Sequence, residues 1–287
     1  MRILVTGGTG QLGSEWVRFL NKKEVEFISL PPSDFDLTDH QDVRRVLNNL
    51  KPGYIINCAA YTNVDQAEVE KEEAFAVNYE GVQNLANYSA ESGVKLIEFS
   101  TDYVFPGKEK DQKKLPNGYP EDYPTDPINT YGASKLAGEN AIKDSGCDYI
   151  ICRTSWLCGK YGNNFVKTML RLGEERKELN VVNDQYGCPT FTANLVKNCW
   201  NLVEEKKSGI YHITSHGKIT WFEFAKEIFR QTGMQVQVNG VSSSEFPTKA
   251  TRPAFSLLST KKIANIPGAT LIEWQEGLKQ LLGELDT

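Results

Sequence analysis

The stretch Ile3-Leu4-Val5-Thr6-Gly7-Gly8-Thr9-Gly10-Gln11-Leu12-Gly13 decides how the rest of the chain is read. Residues 2–7 have the apolar run of a short buried strand, and a helical pattern with Trp16, Phe19 and Leu20 on one side follows. Between them Gly7, Gly10 and Gly13 give the spacing G-x-x-G-x-x-G. Glycines there permit a tight turn and let a pyrophosphate approach the amide N–H groups at a helix N-terminus, where the dipole favours an anion. A strand before the loop and a helix after it point to dinucleotide binding.

Strand and helix patterns then alternate. Val25–Leu30 reads as a second strand, but it runs into Leu30-Pro31-Pro32-Ser33 where an acidic residue would hold the ribose 2′-hydroxyl of NAD. No arginine marks a 2′-phosphate site either. The cofactor is therefore NADPH or NADH, with Ser33 and the absence of a repelling carboxylate tilting the balance to NADPH. Asp36 can reach an adenine amino group, and Thr38 or Asp39 caps a helix over Val43–Leu50. Tyr54–Ala60 is a strand ending in small residues, which leave room for a flat ligand. Helices are expected over Glu70–Asn78 and Gly81–Glu91, and strands over Lys95–Phe105 and Ile150–Trp156. Pro106–Asn129 reads as a surface excursion over the site.

After Trp156 the alternation breaks into a helix opening at Asn163, a strand Val181–Gln185, and helices over Phe191–Glu204, Trp221–Thr232 and Ile272–Leu285. The predicted fold class is α/β, a Rossmann-type doubly wound parallel sheet with a smaller C-terminal substrate-binding lobe. Residues 1–155 form the dinucleotide domain, to which about 180–205 return, and 156–287 form mainly the lobe.

Tyr131 and Lys135 lie four apart in Thr130-Tyr131-Gly132-Ala133-Ser134-Lys135-Leu136-Ala137-Gly138-Glu139, a helix-favouring run, so they share one face. An ammonium beside a phenol stabilises the phenolate, which is expected to draw the tyrosine down toward the neutral range for proton transfer.

The chain has 287 residues, enough for a substantial core, and a formal net charge of -5, which leaves no basic footprint for nucleic acid. No apolar run approaches the ~20 residues of a membrane span, and the start is strand-like rather than a secretory signal, so the cytoplasm is the expected compartment. Cys58, Cys147, Cys152, Cys158, Cys188 and Cys199 form no CxxC pair and read as free thiols. His212 and His216 fall on a strand and a turn, not on one helical face, and no metal site is expected.

The glycine loop, Ser100-Thr101-Asp102-Tyr103-Val104-Phe105 and Tyr131-Gly132-Ala133-Ser134-Lys135 together resemble the extended short-chain dehydrogenase/reductases. Further matches are Asn57–Asp65, Arg153-Thr154-Ser155-Trp156, Gly162–Met169, Asn183–Thr190 and Arg252-Pro253, so the resemblance runs from about Ile3 to Leu282. It implies NAD(P)H-dependent reduction of the C4 keto group of a dTDP-deoxysugar, dTDP-4-dehydro-L-rhamnose, to dTDP-L-rhamnose. It further implies catalytic Thr101, Tyr131 and Lys135. Gly10, Gln11 and Leu12 would cradle the pyrophosphate, Asp36 and Leu37 border the adenine, and Ala60, Tyr61 and Thr62 line the nearby ribose. Tyr131 and Lys135 would also contact the cofactor, while Asp102 and Trp156 face the sugar and Arg252 the diphosphate.

Two residues depart from the family pattern. Cys158 stands where a tyrosine is usual, beside the sugar pocket. Glu15 matches a magnesium ligand seen at some members' dimer interfaces, but Thr192-Ala193-Asn194 lacks its carboxylate partner, so a homodimer here would have no metal bridge. Two other functions compete: a nucleotide-sugar 4-epimerase with tightly bound NAD, and a non-catalytic subunit like the regulatory subunit of methionine adenosyltransferase. An intact Thr101, Tyr131 and Lys135 set counts against the second.

Overall fold

Strands separated by helical crossovers pair in parallel. The computed structural model describes residues 2–31 and 33–285, and its central sheet is parallel throughout. The order is Gly209–His212, Tyr149–Thr154, Lys95–Thr101, Tyr54–Asn57, Ile3–Thr6, Phe27–Leu30. It reverses at Ile3–Thr6, which has the second strand on one side and the third on the other. The carboxyl ends at such a reversal open a ligand crevice.

Both faces of the sheet are covered, so its strands carry apolar residues in succession. Ile3, Val5, Ile56 and Ile97 pack with Trp16 and Leu20 of the helix Gln11–Lys22 and with Leu195 and Trp200 of the helix Thr192–Glu204. Leu4, Ile55, Leu96 and Ile151 pack on the other face with Val43 of the helix His40–Leu50, Leu85 of Val82–Ser92 and Ile142 of Thr130–Ser145. A third core lies in the second half, where Phe224 and Ile228 of the helix Trp221–Thr232 meet Leu278 of Trp274–Leu285. The part of the chain that rejoins the sheet is the helix Thr192–Glu204 and the strand Gly209–His212, whereas Glu178–Val182 pairs with Gln237–Val241 outside it.

Two expectations need correction. The helices placed at Glu70–Asn78 and Gly81–Glu91 are one continuous helical run, in which Lys71–Phe75 passes through a π-helical stretch, Ala76–Gly81, into Val82–Ser92. The wider turn keeps Asn78 buried and facing the helix Thr130–Ser145, where Gly138 has no room for a Cβ against the Asn78 carbonyl. The segment Pro106–Asn129 is also more than a surface excursion. Tyr119 is fully buried and stacked on Phe105 at 4.6 Å, its N–H bonds Leu257 O and its hydroxyl donates to Asp111 at 2.8 Å. Burying an aromatic ring outweighs leaving the loop in water, so its middle is pinned to the core.

Candidate active site

The first strand leads directly into the glycine loop. Gly7 has φ of 61°, and a Cβ there would lie 2.7 Å from the backbone of Cys58 and Ala59. A Cβ on Gly13 would lie 2.1 Å from the Gly7 carbonyl oxygen. The loop is thus closed on itself by backbone contacts that no side chain can enter. Gly10 precedes the helix in extended conformation with no side-chain cap, which leaves the helix N-terminus to an external anion. Gln11 links this loop to the second half: its Nε2 donates to Leu157 O at 3.1 Å and its Oε1 accepts from Asn164 at 3.0 Å.

The helix Thr130–Ser145 starts at Asn129, whose side chain accepts from Gly132 N. Tyr131, Lys135 and Glu139 fall on one stripe of it. Glu139 takes Arg153 through two nitrogens, at 2.8 and 2.6 Å, and the Ser100 hydroxyl at 2.6 Å. Lys135 Nζ lies 2.6 Å from Glu98 Oε1, with both side chains buried. Two buried ionic contacts therefore hold this helix on the sheet, and Tyr131 stands at its end over the strand carboxyl termini.

Thr101, the last residue of its strand, donates to Asp102 Oδ1 at 2.9 Å and accepts from Tyr103 N. Asp102 is buried, and burial pushes its carboxyl up to about 7 against the pull of the Ser256 and Thr101 hydroxyls. The Tyr131 phenol is raised as well, not lowered. Burial is the main cause and the Asp102 charge adds to it, while a hydrogen bond with Thr101 works the other way. The pull expected from Lys135 is outweighed by this burial, and the ammonium is itself paired with Glu98. The Tyr103 ring meets Tyr131 edge-on at 5.7 Å, and its hydroxyl accepts from Arg252 at 3.2 Å. Arg252 also bonds Asp65 at 2.5 Å, which brings the distant segment 249–255 to the mouth of the crevice.

Trp156 has φ of 47°, a left-handed conformation that a non-glycine residue keeps only where its surroundings over-determine it. Its ring is stacked on Trp221 with centroids 3.6 Å apart. Gly187, which is hemmed in by the Trp156 ring and the Ser256 hydroxyl, places this indole wall beside Asp102. Cys158 is a core residue, 1% exposed, so its thiol does not line the pocket.

On the adenine side the placements are mixed. The exposed Asp36 spends its carboxylate on Thr38 N and Oγ1, and Leu37 packs into the core against Gly81. Pro32, part of the run where the ribose acid is missing, lies outside the described residues. Ala60, Tyr61 and Thr62 follow the third strand, and Asn78 clamps Tyr61 through its N–H and C=O while donating to Ser134 on the Tyr131 helix. Sequence reasoning missed Asn78, Glu98 and Asn164. For Glu98 the signal was a carboxylate flanked by Leu96, Ile97 and Phe99 in the strand Lys95–Thr101, and for Asn164 its place in the matched run Gly162–Met169; Asn78 gave none.

A family model described as the RmlD substrate binding domain matches residues 1–287. The chain belongs to the RmlD family. It is 40% identical to a dTDP-4-dehydrorhamnose reductase of Sinorhizobium fredii, with 99% of this chain and 98% of that one covered. The crystal structure of dTDP-4-dehydrorhamnose reductase from Bacillus anthracis in complex with NADP is 43% identical with a TM-score of 0.93, covering 99% of each chain. That of the Clostridium acetobutylicum ortholog is 40% identical with a TM-score of 0.95, covering 100% of each. RmlD membership thus extends through the Trp156 and Arg252 half as well as the glycine loop. At the position matched to a magnesium ligand, Glu15 is buried and accepts from Arg18 at 2.6 Å, and no group of three metal-binding side chains occurs among the described residues. No helix among the described residues is long and apolar enough to cross a membrane.

Proposed function

We propose that this chain reduces the C4 keto group of dTDP-4-dehydro-L-rhamnose to give dTDP-L-rhamnose, with NADPH as reductant. The observation that carries the reading is the meeting of Tyr131, Thr101 and Lys135 beside a glycine loop that only backbone can line, in a chain of the RmlD family. The bound dinucleotide supplies a hydride to C4. Tyr131, protonated at neutral pH, gives its proton to the C4 oxygen, and the phenolate so formed is stabilised by the Thr101 hydroxyl. Glu98 occupies one Lys135 N–H, and the remaining donors serve the nicotinamide ribose.

Gly7, Gly10, Gln11, Leu12 and Gly13 hold the pyrophosphate, with Asn164 fixing Gln11. Asp36, Leu37, Ala60, Tyr61 and Thr62 border the adenosine half once Thr38 releases the Asp36 carboxylate. Asp102 and Trp156 face the sugar. Arg252 reaches the diphosphate by exchanging Asp65 for phosphate oxygens, a bidentate partner its fork suits. Residues 1–155 with the returning helix and strand carry the dinucleotide, and 156–287 mainly the nucleotide sugar.

The test is to offer dTDP-4-dehydro-L-rhamnose with NADPH, follow the loss of nicotinamide absorbance and identify the product. NAD that co-purifies with the chain, with no net consumption of NADPH, would support a 4-epimerase instead. Because the second strand has no carboxylate at its end to repel a 2′-phosphate, NADPH is expected to be used at least as well as NADH; steady-state rates showing a strong NADH preference would contradict this. Arg18 binds one Glu15 oxygen, and Thr192-Ala193-Asn194 offers no carboxylate to share a cation with the other, so EDTA is expected to change neither turnover nor assembly, including any homodimer. Loss of either, restored by magnesium, would reverse that conclusion.

A further inference from the structure

Glu98 is buried in the middle of a parallel sheet, flanked along its strand by Leu96, Ile97 and Phe99. A carboxylate there costs several kcal/mol in desolvation, and apolar replacements of buried ion pairs are often neutral or stabilising, so packing alone does not explain it. Its surroundings suggest another role. Thr6, Asn57 and Glu98 are register partners on three adjacent strands. The Thr6 hydroxyl donates to Asn57 Oδ1 at 2.5 Å, Asn57 Nδ2 donates to Glu98 Oε2 at 2.6 Å, and Lys135 donates to the other carboxylate oxygen at 2.6 Å. One end of this polar row is the residue before Gly7. The other is the ammonium one helical turn from Tyr131.

We infer that Glu98 is the positioning residue of the proton-transfer site: clamped by Asn57, it holds Lys135 in place and neutralises its charge, so that Tyr131 keeps its proton until it is given to substrate. This rests on the reading of Tyr131 as proton donor. The titratable groups around Tyr131 come from every neighbouring element. Asp102 and Tyr103 follow the fourth strand, Glu98 lies within it, Lys135 is on the same helix, and Arg252 reaches in through the Tyr103 hydroxyl. Behind Glu98 are Cys58 and the Glu139–Arg153 pair. Of these, Asp102 and Glu98 both push the phenol up, which makes Glu98→Gln and Asp102→Asn separable tests.

The pH dependence of kcat is measured at saturating NADPH and dTDP-4-dehydro-L-rhamnose for wild type, Glu98→Gln, Glu98→Asp, Asp102→Asn and Asp102→Asn/Glu98→Gln. With the negative charge gone, Glu98→Gln is expected to bring the alkaline limb down toward the ordinary tyrosine range, above which burial and the two carboxylates hold the wild-type phenol. The same shift is expected when Asp102→Asn is compared with the double variant. Glu98→Asp keeps the charge but is too short to span Lys135 and Asn57 together. It is expected to leave the limb in place while kcat falls by roughly tenfold. An unmoved limb in Glu98→Gln overturns the inference even if kcat falls, since that is what a merely structural residue would do. Should Glu98→Gln fail to fold, Glu98→Asp decides together with its urea unfolding midpoint: a lowered kcat on an unshifted limb with an unchanged midpoint supports the inference, and wild-type kcat, or a fall in kcat that accompanies a lowered midpoint, refutes it. Near-normal turnover in Tyr131→Phe would instead remove the proton-donor reading. An inactive Tyr131→Phe with an unmoved Glu98→Gln limb would remove only the role given to Glu98.

Discussion

Tyr131→Phe is expected to lower kcat by ~10²-fold or more while the affinity for the nucleotide sugar changes by less than about threefold. The phenol oxygen is the part of that side chain committed to chemistry. The ring makes an edge contact with Tyr103 and is kept by phenylalanine, and the helix is docked through Lys135 and Glu139, which the substitution leaves alone. Loss of the hydroxyl therefore removes a proton donor without removing a support. Single-turnover measurements separate the two, because the hydride step should slow while binding in the absence of reductant is retained. Near-normal turnover would show that the proton comes from elsewhere, and Asp102 would be the first group to consider.

The second large effect concerns Asp102 and is read in stability. Its carboxyl is 3% exposed, and its pKa rises from 3.8 to about 7. A raised carboxyl means that the folded chain binds a proton the unfolded chain has already lost. The stability this contributes is fully present below about pH 4 and disappears as pH rises through about 7. At about 1.4 kcal/mol for each pH unit between the two values, the effect amounts to roughly 4 kcal/mol. Asp102→Asn keeps the shape and has no charge to bury. The difference in unfolding free energy between Asp102→Asn and wild type is therefore expected to grow in favour of the variant from pH 4 to pH 7 and then level off. Urea unfolding at a series of pH values gives that difference directly, and the contributions of Glu98, Glu121 and His212 cancel in it. A difference that stays flat with pH would show that Asp102 is not held neutral by its burial.

The continuous apolar strands and the glycine spacing were enough to place the parallel sheet, the crevice and the Tyr131 helix, because these features are written in local periodicity and in backbone freedom. The helix Trp221–Thr232 was placed to the residue for the same reason, from the apolar stripe of Phe222, Ala225, Ile228 and Phe229. The π-helical stretch at Ala76–Gly81 and the buried Tyr119 were not legible, since each depends on a partner far along the chain, Gly138 in one case and Leu257 in the other.

By itself, then, the sequence determined which residues line the strand ends and that a phenol and an ammonium share a helical face. What only the tertiary structure decided was the electrostatic state of that pair. Glu98 lies 37 positions from Lys135 in sequence yet 2.6 Å away in space, and Asp102 is brought beside Tyr131 by the turn after the same strand. The pKa of a buried group is set by the dielectric and the charges within a few ångströms, whatever their distance along the chain. Helical spacing reports neighbours on one element; it carries no information about the sheet on which that element lies.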